Sequence, residues 1–144
     1  MRSDKIFFIL VAVVVILAIF VRYNAKSEVI LNGKVFQVEV VSTQSALEKG
    51  LSGHKLLEVN QGMFFIFQKP DNYGFWMKDM TFPIDIIWLD SSFKVVHVEK
   101  SLLPETYPKT FYSNAPSLYV LEVLAGISDK INLKIGDTIK FIKN

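Results

Sequence analysis

The stretch YGFWMKDMTFPIDIIWLD, Tyr73–Asp90, sets the terms for the whole chain. Two tryptophans, two methionines, three acids and a lysine sit in an otherwise oily run. From Phe82 onward it reads as a strand. In extended chain, alternate residues share a face, so Ile84, Ile86, Trp88 and Asp90 fall on one side and Asp85, Ile87 and Leu89 on the other. Asp85 then shares its face with two large aliphatics. A carboxylate there must be hydrogen-bonded or paired, or else it takes up a proton. Lys78 and the backbone donors of the Asp79-Met80-Thr81 bend are the local candidates, because Pro83 restricts Phe82 and helps set that bend.

Working outward, VILNGKVFQVEVV (Val29–Val41) predicts a hairpin, since Asn32-Gly33 suits the two positive-φ positions of a type I′ turn. STQSALEKG (Ser42–Gly50) predicts a short helix with Thr43 as N-cap and Gly50 at its C-terminal end. GMFFIF (Gly62–Phe67) predicts a strand buried on both faces, with QKPDNYG as the turn after it. FWMK begins another strand. FKVVHVEK (Phe93–Lys100) pairs back on Phe82–Asp90 through an Asp90-Ser91-Ser92 turn. A long excursion with Pro104, Pro108 and Pro116 follows. LYVLEVLAG (Leu118–Gly126) is a further apolar strand, ISDKINL a short helix, and TIKFIK the last strand. The sum is a mainly β, α+β domain: compact, antiparallel, barrel-like or sandwich-like, with two short helices.

Ahead of this lies IFFILVAVVVILAIFV, residues 6–21, apolar without interruption and flanked by Arg2, Lys5, Arg22 and Lys26. At about 1.5 Å per residue the run is short for a bilayer core of roughly 30 Å, but Tyr23 and snorkelling basic flanks extend it. An uncleaved signal-anchor fits best. It makes residues 1–27 a transmembrane segment inserted in the lipid bilayer through residues 6–21, and residues 28–144 an extracytoplasmic β-rich domain of a single-pass cell-membrane protein. The alternative is a cleaved signal, with a poor site near Ala25, leaving a secreted or periplasmic domain.

Composition excludes several classes. The chain has no cysteine, hence no disulfide, thiol nucleophile or thiolate metal site. Its only arginines flank the apolar run, and residues 28–144 hold twelve lysines against thirteen acids, so a nucleic-acid footprint is missing. His54 and His97 lie far apart without a second ligand at metal spacing, so neither a metal nor a cofactor is expected. No G-x-S-x-G elbow occurs.

Two inward acids stand out. Glu122 shares its alternation with Leu118, Val120 and Leu124. Asp85 and Glu122 would serve as a catalytic acid and base only if they converge. Otherwise each is a buried acid held by its own partners, and no catalysis is expected. Tyr73, Trp76, Lys78, Asp79 and Asp85 are the candidate ligand-binding residues, the aromatics as stacking surfaces and Asp85 as a carboxylate lining a pocket; Phe75 and Trp88 belong to the core.

The succession GLSGHKLLEVNQGMFFIF, FWMKDMTFPIDIIWLD, YVLEVLAG and KIGDTIKF resembles the uncharacterised bacterial and archaeal family known as domain of unknown function 192. The resemblance spans about Val35–Ile142 and is most specific at Trp76–Asp79 and Pro83–Ile86. It implies a compact, mainly β domain, often exported, and brings no activity. Two departures are local: Asp79-Met80 replaces the usual asparagine-threonine, and PETYPKTFYS lacks the cysteine pair of some members. The expectation is a membrane-tethered binding or interaction domain for an extracytoplasmic ligand or protein. The alternatives are an accessory subunit docking on a membrane complex and a carboxylate-based hydrolase of a cell-surface carbohydrate or peptide.

Overall fold

The computed structural model describes the backbone of residues 2–23 and 26–144, and the side chains of residues 6–17 and 26–144. Helix α1 runs Arg2–Tyr23. Its described side chains, from Ile6 to Leu17, are exposed. Among the described residues, no helix is long and apolar enough to cross a membrane. The rest of the expected span, the side chains of residues 18–21 and the flanking charges at Arg2, Lys5 and Arg22, lies outside them.

The β domain is one seven-stranded sheet with a two-stranded appendage. Strands β1 (Ser27–Leu31) and β2 (Lys34–Val41) form the expected hairpin, with Asn32 at φ 47° and Gly33 at φ 79°. Helix α2 (Gln44–Lys49) ends on Gly50 at φ 50°; Thr43 stands at its N-cap without a side-chain cap bond. Then come β3 (Gln61–Asp71), β4 (Gly74–Trp76), β5 (Ile84–Leu89) and β6 (Val95–Leu102). A 3₁₀ turn, Pro104–Thr106, precedes β7 (Thr110–Tyr112), β8 (Ser117–Leu124), α3 (Ile127–Lys130) and β9 (Lys140–Ile142).

The large sheet has the order β6-β5-β8-β3-β2-β1-β9. It does not close into a barrel, although Lys94 and Thr138 form an isolated bridge where β6 and β9 approach one another. The sheet is mainly antiparallel, as expected, with one exception: β2 and β3 are parallel, Val38 opposite Gly62 and Val40 opposite Phe64. A parallel return needs a long crossover, and the segment carrying α2 supplies it. One expectation is corrected: QKPD, read as a turn, continues β3. The three-residue strands β4 and β7 pair with each other, apart from the main sheet.

Both faces of the sheet are covered. One carries Val29, Phe36, Phe64, Ile87, Leu121 and Val123, roofed by Ile127, Leu133 and Ile139. The other carries Met63, Phe65, Ile84, Ile86, Trp88 and Val120, with Leu51, Phe75, Met77 and Phe111 packed over it. The second cover is built from irregular chain, α2 and the β4–β7 pair, and there the packing leaves a cleft.

A cleft over a buried glutamic acid

Strand β8 alternates as its sequence requires: Leu121 and Val123 enter the first core, Val120 the second. Glu122 therefore lies on the second face, between Met63 of β3 and Ile86 of β5, its direct cross-strand neighbours. It is 4% exposed, and its Oε2 is buried with no hydrogen-bond partner. Burial in this apolar setting pushes its pKa from 4.5 up to about 8. At neutral pH the group is a carboxylic acid, carrying one donor and acceptor capacity.

Above Glu122 opens a cleft of about 560 Å³. Phe65, Phe67, Tyr73, Phe75 and Trp76 form its aromatic wall. Phe67 and Tyr73 stack at 3.5 Å between centroids and 9° between planes, and Phe75 meets Phe65 edge-on. Leu47, Gly50, Leu51 and Met80 complete the lining. Gly50 has a geometric role here. A β-carbon placed on it would sit 3.3 Å from the Phe65 ring and 3.9 Å from Glu122 Oε2, over the acid. Gly74 permits the β4–β7 approach, since a β-carbon there would lie 2.6 Å from both Thr110 Cγ2 and Tyr112 Cε1.

Of the residues singled out by sequence, Tyr73, Trp76 and Glu122 line this cleft. Trp76 is 43% exposed, so much of its ring is available for contact. Trp88 is fully buried, donating from Nε1 to the Tyr73 carbonyl at 3.3 Å, and Phe75 is buried beside it. Lys78, Asp79 and Asp85 do not line the cleft. Lys78 and Asp79 belong to a bend stapled to the preceding loop: Ser52 Oγ donates to the Lys78 carbonyl at 2.7 Å and Gly53 N–H to the Asp79 carbonyl at 2.9 Å. Asp79 itself has φ 54°.

Asp85 is a tie. Its Oδ1 accepts from Ser101 N–H at 2.8 Å and Gly126 N–H at 3.1 Å, and its Oδ2 from Ser128 N–H at 2.8 Å. These donors replace the expected ones: neither Lys78 nor the 79–81 bend supplies a bond. The carboxyl joins the end of β6 to the β8–α3 corner, where Ser101 and Gly126 stand at φ 52° and 81°. The condition for pairing Asp85 with Glu122, that they converge, is not met. Asp85 is opposite Val123 in the ladder and Glu122 opposite Ile86, which puts the acids on opposite faces of the sheet. They share no pocket and cannot act on one bond.

Phe67, Gly50, Leu47 and Met80 were not legible as site residues. The one local sign was the placement of Phe65 and Phe67 two apart, on one face of a strand whose other face carries Phe64 and Ile66. Among the described residues, no group of three or more His, Asp or Glu side chains is placed to hold a metal ion.

Residues 27–141 match the model of the family DUF192, described as "Uncharacterized ACR". No curated protein matches the chain in sequence. Among solved structures, a protein of unknown function from Novosphingobium aromaticivorans DSM 12444 superposes with a TM-score of 0.73 at 28% identity, covering 79% of this chain and 82% of that one. A candidate transcription regulator from Sinorhizobium meliloti 1021 superposes with a TM-score of 0.73 at 24% identity, covering 80% and 91%, and shares the fold.

Proposed function

The chain belongs to the uncharacterised family DUF192, and from that premise we propose that its β domain is a binding module whose cleft takes a small ligand with a flat apolar face. The family and its solved relative of unknown function assign no activity, so the chemistry of the site carries the reading. One observation does so above the others: the Glu122 carboxyl is buried, with Oε2 unpartnered, beneath an aromatic-walled opening. A buried polar atom without a partner costs about 1–3 kcal/mol, and a ligand that satisfies it recovers that energy on binding. Apolar and aromatic walls with a small number of placed polar groups are the common make-up of small-molecule sites. A second occupant is an apolar side chain of a partner protein, which leaves Glu122 unpartnered but which the exposed rings of Trp76 and neighbouring Tyr112 favour.

We also propose that the N-terminal segment tethers this module to the cell membrane with residues 28–144 outside the cytoplasm. The uninterrupted apolar run of residues 6–21 and the exposed apolar side chains of α1 support it. Alkaline extraction of membranes and protease protection test the tether: recovery of the full-length chain in the soluble fraction refutes it. Methyl NMR of the full chain in mild detergent, titrated with indole, tests the cleft. Leu47, Leu51 and Met80 methyls shift, while Ile127 and Ile139 on the opposite face do not. Shifts spread over both faces, or none at millimolar indole, refute the reading.

A further inference from the structure

The geometry points to a definite class of ligand for the cleft: we propose that Glu122 binds an uncharged, planar molecule that presents an N–H and a C=O side by side, the edge of an amide, a lactam or a pyrimidine-like ring. The inference rests on the cleft reading above and names its chemistry. Glu122 sits with its carboxyl at the base of the opening, and a protonated carboxyl offers a donor and an acceptor in one plane. An amide edge offers the complementary acceptor and donor, so one ligand makes two hydrogen bonds. The wall rings, Phe67 stacked on Tyr73 and the exposed Trp76, supply flat apolar surface for the rest of such a molecule.

An ammonium is the obvious rival, since aromatic rings and a carboxylate suit a cation. Two features argue against it. Binding a cation would ionise Glu122 in a site between Met63 and Ile86, and the desolvation of a buried ion pair is a heavy cost. The other charged groups lining the cleft are Glu48 and Lys49 of α2 and Lys69 of β3, a net positive rim that repels an approaching ammonium; Tyr73 is the remaining titratable group. The same rim attracts an anion, but a carboxylate has no donor for the second oxygen of Glu122 and brings an uncompensated charge into the apolar site.

The test uses the full chain in mild detergent and three matched probes: benzamide, benzylamine and benzoate, followed by methyl NMR titration at Leu47 and Met80. Benzamide binds in the cleft; benzylamine and benzoate bind at least tenfold more weakly. Because Glu122 titrates at about 8, raising the pH from 7 to 9 weakens benzamide about tenfold. Glu122→Gln, which keeps a donor and an acceptor, retains benzamide within a few-fold and abolishes the pH dependence. Glu122→Met, of similar shape without either, loses it. Benzylamine binding that strengthens with pH and disappears in Glu122→Gln overturns the inference in favour of a cation site. So does equal benzamide binding by Glu122→Met. In either case indole still shifts the cleft methyls, so the cleft reading survives; if indole also fails, both fall.

Discussion

Replacing Glu122 by glutamine is expected to stabilise the fold, by an amount that grows with pH. Glu122 has an ordinary pKa of 4.5 in the unfolded chain and about 8 when folded. Below pH 4.5 both states hold the proton and nothing is lost. Between 4.5 and 8 the folded state keeps a proton that the unfolded state releases, so stability falls as pH rises; above 8 the loss is complete. At about 1.4 kcal/mol per pH unit, the wild-type protein has lost about 3 kcal/mol at pH 7 and about 5 kcal/mol above pH 8. Glutamine is close in shape, cannot ionise, and keeps a polar end at the cleft floor. Glu122→Gln should therefore match wild type near pH 4 and exceed it by about 3 kcal/mol at pH 7. Urea denaturation of the full chain in mild detergent, followed by the fluorescence of Trp76 and Trp88 from pH 4 to 9, measures the difference. Other titrating groups cancel between the two proteins. A difference that stays flat with pH would mean that the folded acid ionises like an exposed one, and the account of a dry, unpartnered carboxyl would be wrong.

Two further substitutions separate structure from site. Asp85→Asn places an NH₂ where one of three backbone donors expects an acceptor, so it should cost about 3 kcal/mol in the same denaturation assay while leaving indole binding intact; a loss under 1 kcal/mol would contradict the role of tie. Gly74→Ala drives a β-carbon into Thr110 and Tyr112 and should cost about 2 kcal/mol, with partial recovery when Tyr112→Ala is added; no recovery would place the strain elsewhere than the β4–β7 pair.

Much of the scaffold is written locally. Asn32-Gly33 requires positive φ and finds it, and the alternation in Ile84–Leu89 assigns each side chain to the face it occupies. The same alternation marks Glu122 as inward. It could not say which face of the sheet would carry the opening. The parallel β2–β3 contact was hidden, because strand direction depends on how the intervening chain returns rather than on either strand. So was the β4–β7 pair, whose strands are three residues long and far apart in sequence, with no periodicity to detect.

The chain's own pattern determined a β domain behind an apolar segment and two acids buried on strands, since periodicity and burial are properties of neighbouring residues. Only the tertiary structure decided their fates. Asp85 meets three N–H groups delivered by β6 and by the β8–α3 corner, while Glu122, one strand away on the opposite face, meets none at Oε2 and looks into a cleft. The physical reason is that satisfaction of a buried polar group depends on donors brought from distant segments, and a strand's sequence encodes the direction a side chain takes but not what waits there.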